Sequence, residues 1–373
     1  MNVPINEPLL NGNEKKYLAE CIDTGWISSE GPFVKKFEEQ MAEYIGTKHA
    51  VAVTNGTAAL ELAIEALGIK MGDEVIMPSF TIISCAQAIV KAGAKPVLID
   101  SEFDTFNMRV EDIEAKITKS TKAIMIVHIY GLPVDMDKVL ILAEKYDLKI
   151  IEDAAEMHGQ TYKGKRCGSF GDISIFSFYP NKHITTGEGG MVLMDDTTLF
   201  DKCKSLRNLG FSTDPKARFI HDTLGWNLRM TNLQAAVGVA QLERIDEFVK
   251  KKRWIGEMYQ ELLSDIKEIN LPIKQKEFSD NIYWVFAITL KDGCSKGAMD
   301  VMSELSANGI GCRPFFYPMH QQPVFHKIGL FNGERYPNSE KLYERGFYIP
   351  SGMAINEDQI QEVSRVLHEI FAK

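Results

Sequence analysis

DISIFSFYPNKHITTGEGGMVLM, residues 172–194, sets two apolar runs around a polar bend. Ile173, Ile175, Phe176 and Phe178 read as one strand, Met191 to Met194 as a second, and Gly187, Gly189 and Gly190 as the turn leading into it. Lys182 falls in the bend between them. An ammonium ion withdrawn from water costs several kcal/mol unless it is paired, deprotonated or consumed in a covalent bond. A desolvated lysine gives up its proton more readily and becomes the amine that condenses with carbonyl compounds. A hairpin with a snorkelling lysine at its tip is the alternative that this stretch leaves open by itself.

Further short apolar runs of β type precede it: His49 to Thr54, Glu74 to Met77, Pro96 to Ile99, Ala123 to His128 and Lys149 to Glu152. Helical patterns such as Phe33 to Ile45, Thr57 to Leu67 and Met136 to Tyr146 lie among them. Strands apolar on both faces, alternating with helices, predict an α/β fold with a mostly parallel seven-stranded sheet covered on both sides. Ligands gather at the carboxyl ends of such strands. After the first strand, Thr54-Asn55-Gly56-Thr57-Ala58 turns into a helix whose open N–H groups would suit a phosphate; helix capping by Thr54 or Asn55 explains the same residues. After the fifth comes Glu152-Asp153-Ala154-Ala155-Glu156, and after the sixth comes Lys182. A phosphate seat, a strand-end carboxylate and an amine are together what pyridoxal 5′-phosphate requires: a place for its phosphate, an anion for its ring nitrogen and an amine for its aldehyde.

The 373 residues suit two domains, expected at 1–245 (large, cofactor-binding) and 246–373 (small, C-terminal α/β). A helical pattern from Met230 to Leu263 bridges them. A strand (Ile282 to Leu290), a helix (Lys296 to Asn308), a short strand (Cys312 to Phe316) and a last helix opened by Asn356 and Gln359 follow, whereas the first thirty residues read as irregular. A net charge of −9 argues against a nucleic-acid partner. No run approaches the ~18 apolar residues of a membrane span, and the N-terminus lacks signal-peptide character, so the cytoplasm is expected. The six cysteines show neither a CxxC nor a Cys/His cluster; reduced thiols and no metal site are expected.

Four motifs, NGTAAL (55–60), IEDAAE (151–156), FSFYPNKHITTGEGG (176–190) and NLRMTNLQAA (227–236), are similar to those of the sugar-nucleotide aminotransferases of the DegT/DnrJ/EryC1/StrS family. The resemblance covers essentially the whole chain and implies the pyridoxal phosphate-dependent transferase fold type I, aspartate aminotransferase-like. It implies Lys182 as the amine for the cofactor aldehyde, Asp153 against the pyridine nitrogen, and Gly56, Thr57 and Ser177 on the phosphate. Glu156 stands where the family places a side chain near the phenolic oxygen. Asn227 matches a residue reaching the phosphate from a neighbouring subunit, which implies a homodimer with shared active sites. Ile82 stands where many members carry an aromatic that stacks on the cofactor. His183, the residue that a one-position misalignment would put in place of the lysine, is expected to face away.

WISSEG (26–31, with Trp26 and Ser28) and RPFFYPMH (313–320) resemble the branch of the family that aminates a GDP-linked 4-keto-6-deoxymannose with L-glutamate. Arg229, Arg313, Tyr317 and His320 are candidates for the donor carboxylate or the diphosphate, since guanidinium forks and hydroxyls suit both; surface or interface pairing is their alternative role. Amination of a UDP- or dTDP-linked 4-keto-6-deoxyglucose, sugar 3-dehydration, and a non-catalytic sugar-nucleotide-binding protein are the competing readings.

Overall fold

The computed structural model describes residues 2–212 and 215–372. Seven strands form one sheet in the order His49–Val53, Gly190–Met194, Ile173–Ser177, Lys149–Asp153, Thr121–Val127, Glu74–Pro78, Lys95–Ile99. Gly190–Met194 pairs antiparallel with both of its neighbours, and the remaining pairings are parallel. All seven strands expected for this sheet are present, with ends shifted by at most two residues. Successive side chains alternate between two cores, as the pleat requires. Ala50, Ala52, Ile124, Ile126, Met191 and Leu193 face the layer holding the helices Pro32–Ile45 and Asn232–Leu242. Val51, Val53, Ala123, Met125, Val192 and Met194 face the layer holding Gly56–Ala66 and Ile83–Lys91.

A second sheet, in the order Ile269–Asn270, Phe286–Leu290, Gly346–Ile349, Arg313–Pro314, is antiparallel throughout. The final helix Glu357–Phe371 packs on it and opens with the expected capping box, Gln359 N–H donating to Asn356 Oδ1 at 2.9 Å and Asn356 N–H to Gln359 Oε1 at 3.0 Å. No helix among the described residues is long and apolar enough to cross a membrane.

Three expectations need correction. The first thirty residues contain a helix, Glu14–Thr24, whose weak apolar stripe hides it; it buries Cys21 and Glu14, the latter accepting from Gln241 Nε2 at 2.6 Å. The bridging helix is two helices, Asn232–Leu242 and Ile245–Leu262, broken at Arg244 (φ −116°, ψ 12°). The first is buried on nearly all sides and the second on one face, so the apolar pattern runs across the break without a gap. The strand read from Ile282 begins only at Phe286, because Tyr283 takes φ 51° and turns the chain. We propose 1–245 and 246–373 as the two domains; Val3, from the first, bridges to Ile310 and joins the core of the smaller sheet, and Trp284, Phe315 and Met319, from the second, join the core of the larger one.

The antiparallel strand enters the sheet over the turn after the first strand. A Cβ at Gly190 would lie 2.4 Å from Asn55 O and 3.0 Å from Gly56 N, backbone atoms that cannot swing aside. Gly190→Ala is therefore expected to cost about 1–3 kcal/mol, the usual range for overpacking, measured as a lowered denaturant midpoint. An unchanged midpoint would mean that the two segments are not in contact.

Candidate active site

Asn55, in extended conformation (φ −168°), caps the helix Gly56–Ala66 by accepting the Ala58 N–H at 2.8 Å. Capping and anion binding are thus compatible: the cap uses Ala58 and leaves the N–H groups of Gly56 and Thr57 at the helix start. Gly56 is needed there because a Cβ would come within 2.8 Å of Ser177 Cβ. Thr57 Oγ1 donates to Ser84 Oγ at 3.1 Å.

Asp153 closes its strand in a buried position, Oδ1 accepting the Ala155 N–H at 3.0 Å and Oδ2 the Cys85 thiol at 3.4 Å. Burial raises its carboxyl, against the pull of the Ala155 N–H and of Lys182. Glu156 accepts the Tyr130 N–H at 2.7 Å, and burial pushes its carboxyl up to about 8, opposed by Lys182. Lys182 sits in the bend, its N–H donating to Tyr179 O at 2.9 Å and its Nζ lying 4.0 Å from the centre of the Trp284 ring. Burial pushes its ammonium down, opposed by Glu156 and Asp153.

These groups line one cavity of about 720 Å³, shared with Ser177, Ile82, Thr81, Tyr179, Phe316 and Tyr348. An anion seat of backbone N–H groups and hydroxyls, a buried carboxylate and an amine thus share one lining. This donor set fits pyridoxal phosphate. His183 is buried 6.0 Å from the His158 ring and does not line the cavity, as expected.

None of the six residues put forward for substrate lines the cavity. Trp26 and Ser28 are exposed, their carbonyls accepting from Asn232 Nδ2 (2.6 Å) and Asn232 N–H (2.8 Å). Arg229 donates to Asn208 Oδ1 at 2.6 Å. Arg313 is exposed and donates to Cys312 O at 2.9 Å, and Tyr317 packs on Tyr343 with ring centres 4.8 Å apart. His320 is a correction: it is buried with both ring nitrogens engaged, Nδ1 with Ser79 Oγ (2.8 Å) and Nε2 with Glu340 Oε1 (2.9 Å), so it braces the segment before Thr81. Asn227 is exposed; its neighbour Leu228 lines the cavity and accepts the Thr54 N–H at 3.0 Å. Sequence reasoning missed Thr81, which follows a strand end, and Trp284 and Tyr348, which stand within apolar runs and carry no signal of their own.

Beside Asp153, the buried group His128, Glu152 and Cys167 has the composition of a metal site. Glu152 is instead saturated by His128 Nε2 (3.1 Å), the Gly168, Phe170 and Gly171 N–H groups and Ser174 Oγ (3.0 Å). His128 Nδ1 accepts the Val134 N–H at 3.0 Å, which fixes the tautomer that donates to Glu152.

Because the folded-state Glu156 carboxyl titrates above its unfolded value, the folded chain binds an extra proton between about pH 4.5 and 8 and loses stability as pH rises through that window. Glu156→Gln, tested without cofactor, should gain stability over the parent as pH rises from 5 to 9, read from paired denaturant titrations. A pH-independent difference would contradict the buried carboxyl.

Residues 8–368 match the DegT/DnrJ/EryC1/StrS aminotransferase family. The chain is 42% identical to a GDP-perosamine synthase of Vibrio cholerae and 41% identical to one of Escherichia coli O157:H7, each alignment spanning 370 residues and 99% of both chains. Its structure is similar to that of an aminotransferase from Psychrobacter cryohalolentis, with TM-score 0.93 and 30% identity over 100% of this chain and 99% of that one. The fold, the cavity and these likenesses agree: the chain belongs to the DegT/DnrJ/EryC1/StrS aminotransferase family.

Proposed function

We propose that this pyridoxal phosphate-dependent sugar-nucleotide aminotransferase moves the amino group of L-glutamate to C4 of GDP-4-keto-6-deoxymannose, giving GDP-perosamine and 2-oxoglutarate. The observation that carries the reading is the convergence of Lys182, Asp153 and the Gly56–Thr57 helix start on one cavity. Full-length similarity to relatives named GDP-perosamine synthase supports the choice of sugar.

Gly56, Thr57 and Ser177 would hold the cofactor phosphate, Asp153 its ring nitrogen, and Glu156 would stand near its phenolic oxygen. Pyridoxal phosphate supplies an aldehyde that condenses with amines and a ring that takes up the electrons of an adjacent broken bond. Lys182 would hold that aldehyde at rest. During turnover its Nζ takes the proton from the donor's α-carbon and delivers one to C4 of the sugar. An amine whose ammonium form is disfavoured by burial suits a group that must both accept and release a proton at neutral pH. The Asp153 carboxyl, raised by burial, would be the anionic partner of a protonated ring nitrogen.

We also assign a homodimer with shared sites. Phe219 (78% exposed), Ile220 (66%), Leu224 (92%) and Trp226 (43%) stand out in water just before Asn227 and the cavity-lining Leu228, four apolar side chains that a second copy would cover. Asn227 would then reach the partner's phosphate seat. Mixing inactive Lys182→Ala chains with inactive Asn227→Asp chains should restore part of the activity through one intact hybrid site. No recovery after verified subunit exchange would rule out sharing.

A pocket that hydrogen-bonds a guanine edge and an axial sugar hydroxyl leaves buried polar groups unpaired when offered another base or sugar, a discrimination on the order of 10⁴-fold. With L-glutamate as donor, kcat/KM for GDP-4-keto-6-deoxymannose should exceed that for the dTDP- and UDP-4-keto-6-deoxyglucose analogues, followed by 2-oxoglutarate release. Faster turnover of either glucose-derived substrate would reassign the sugar and leave the aminotransferase reading standing.

A further inference from the structure

The helix Ile245–Leu262 carries a lysine where none is expected. Lys252 is 2% exposed and has no carboxylate partner among the described residues; its Nζ donates to Trp284 O at 2.7 Å and to Ser351 O at 2.6 Å. Burial pushes its ammonium down to about 7, and the neutral amine still has the two N–H groups these carbonyls accept. Replacing it by an apolar residue would leave two carbonyls unpaired in the interior, which explains why a cation can persist there.

What Lys252 holds is the approach to the active site. The Trp284 indole is fixed at a second point by its Nε1–H, which donates to Asn181 O at 2.9 Å, one residue before Lys182. Its ring presents its face to Lys182 Nζ, 4.0 Å from the ring centre. An indole face attracts an ammonium and gives a neutral amine a flat surface of contact. The Lys182 amine thus rests against the Trp284 face, in the same cavity as Asp153 and Glu156. We propose that Trp284, anchored through its carbonyl by Lys252 and through its Nε1 by Asn181, is the positioning residue that receives the free Lys182 amine and aims it at the carbon whose proton it moves. This rests on the assignment of Lys182 as the reactive amine. Trp284 acts on Lys182, and Lys252 acts through Trp284.

The test uses the protein loaded with pyridoxamine phosphate, in which the Lys182 amine is free, and cyanate as an amine probe mapped by peptide mass. Lys35, with an 80% exposed side chain, is the internal reference. Trp284→Leu should raise carbamylation of Lys182 several-fold over Lys35, because the amine loses both its cover and the face that favours its ammonium. Trp284→Phe, which keeps a ring but loses the bond to Asn181, should give a smaller rise. Lys252→Met should move in the same direction as Trp284→Leu. In single turnovers of the protein loaded instead with pyridoxal phosphate, with L-glutamate carrying protium or deuterium at the α-carbon, proton transfer should slow about tenfold in Trp284→Leu and the deuterium effect should increase, which a loss of folded protein alone would not produce. Unchanged labelling and isotope effect in folded Trp284→Leu, or in Trp284→Phe should the leucine variant not fold, would overturn the proposal. Lys252→Met behaving as the parent would remove Lys252 from it. If the parent shows no glutamate-dependent change in cofactor absorbance, the proposed transamination from L-glutamate fails instead.

Discussion

The cavity depends on a backbone contact too close for a methyl group, the one between Gly190 and the Asn55–Gly56 peptide. It exists because the strand Gly190–Met194 runs antiparallel between His49–Val53 and Ile173–Ser177. That insertion places the turn after the first strand beside the end of Ile173–Ser177, so Gly56 meets Ser177 and the helix start opens toward Lys182. An all-parallel order with these two strands adjacent would join the same motifs at a different distance. Gly190 therefore serves the sheet as much as the site.

Charge at the site follows from burial. Asp153 and Glu156 both lie in the protein interior with one lysine between them, and in isolation each group is pushed toward its neutral form. Such a set stores an unmet demand for charge: a protonated ring nitrogen for Asp153, a covalent bond for Lys182. A ligand offering both, together with a phosphate for the helix start, binds where water cannot compensate as well. The adjoining Glu152, already saturated by five donors, shows the opposite design and acts as a brace for the strand that ends in Asp153.

The strands were legible because those apolar on both faces leave contiguous runs, and the three strand-end motifs were legible because the sheet delivers strand ends to one edge. The helix Glu14–Thr24 was not, since it buries little more than Cys21 and Glu14. The break at Arg244 was masked by apolar residues on both of its sides. His320 misled for a physical reason: an imidazole in a polar-aromatic stretch reads as a ligand contact, whereas its partners, Ser79 and Glu340, are distant along the chain or on another helix and invisible to spacing. Trp284 was missed because a tryptophan within an apolar run looks like core, and only the fold turns it toward Lys182.

The central claim is that Lys182, among the lysines of this chain, carries the cofactor. Borohydride reduction of the purified protein with bound pyridoxal phosphate, followed by proteolysis and peptide mass mapping, tests it directly. The account predicts one reduced adduct, on the peptide containing Tyr179-Pro180-Asn181-Lys182. An adduct on Lys163, on Lys165 or on the buried Lys252, or no adduct with a colourless protein, would contradict it.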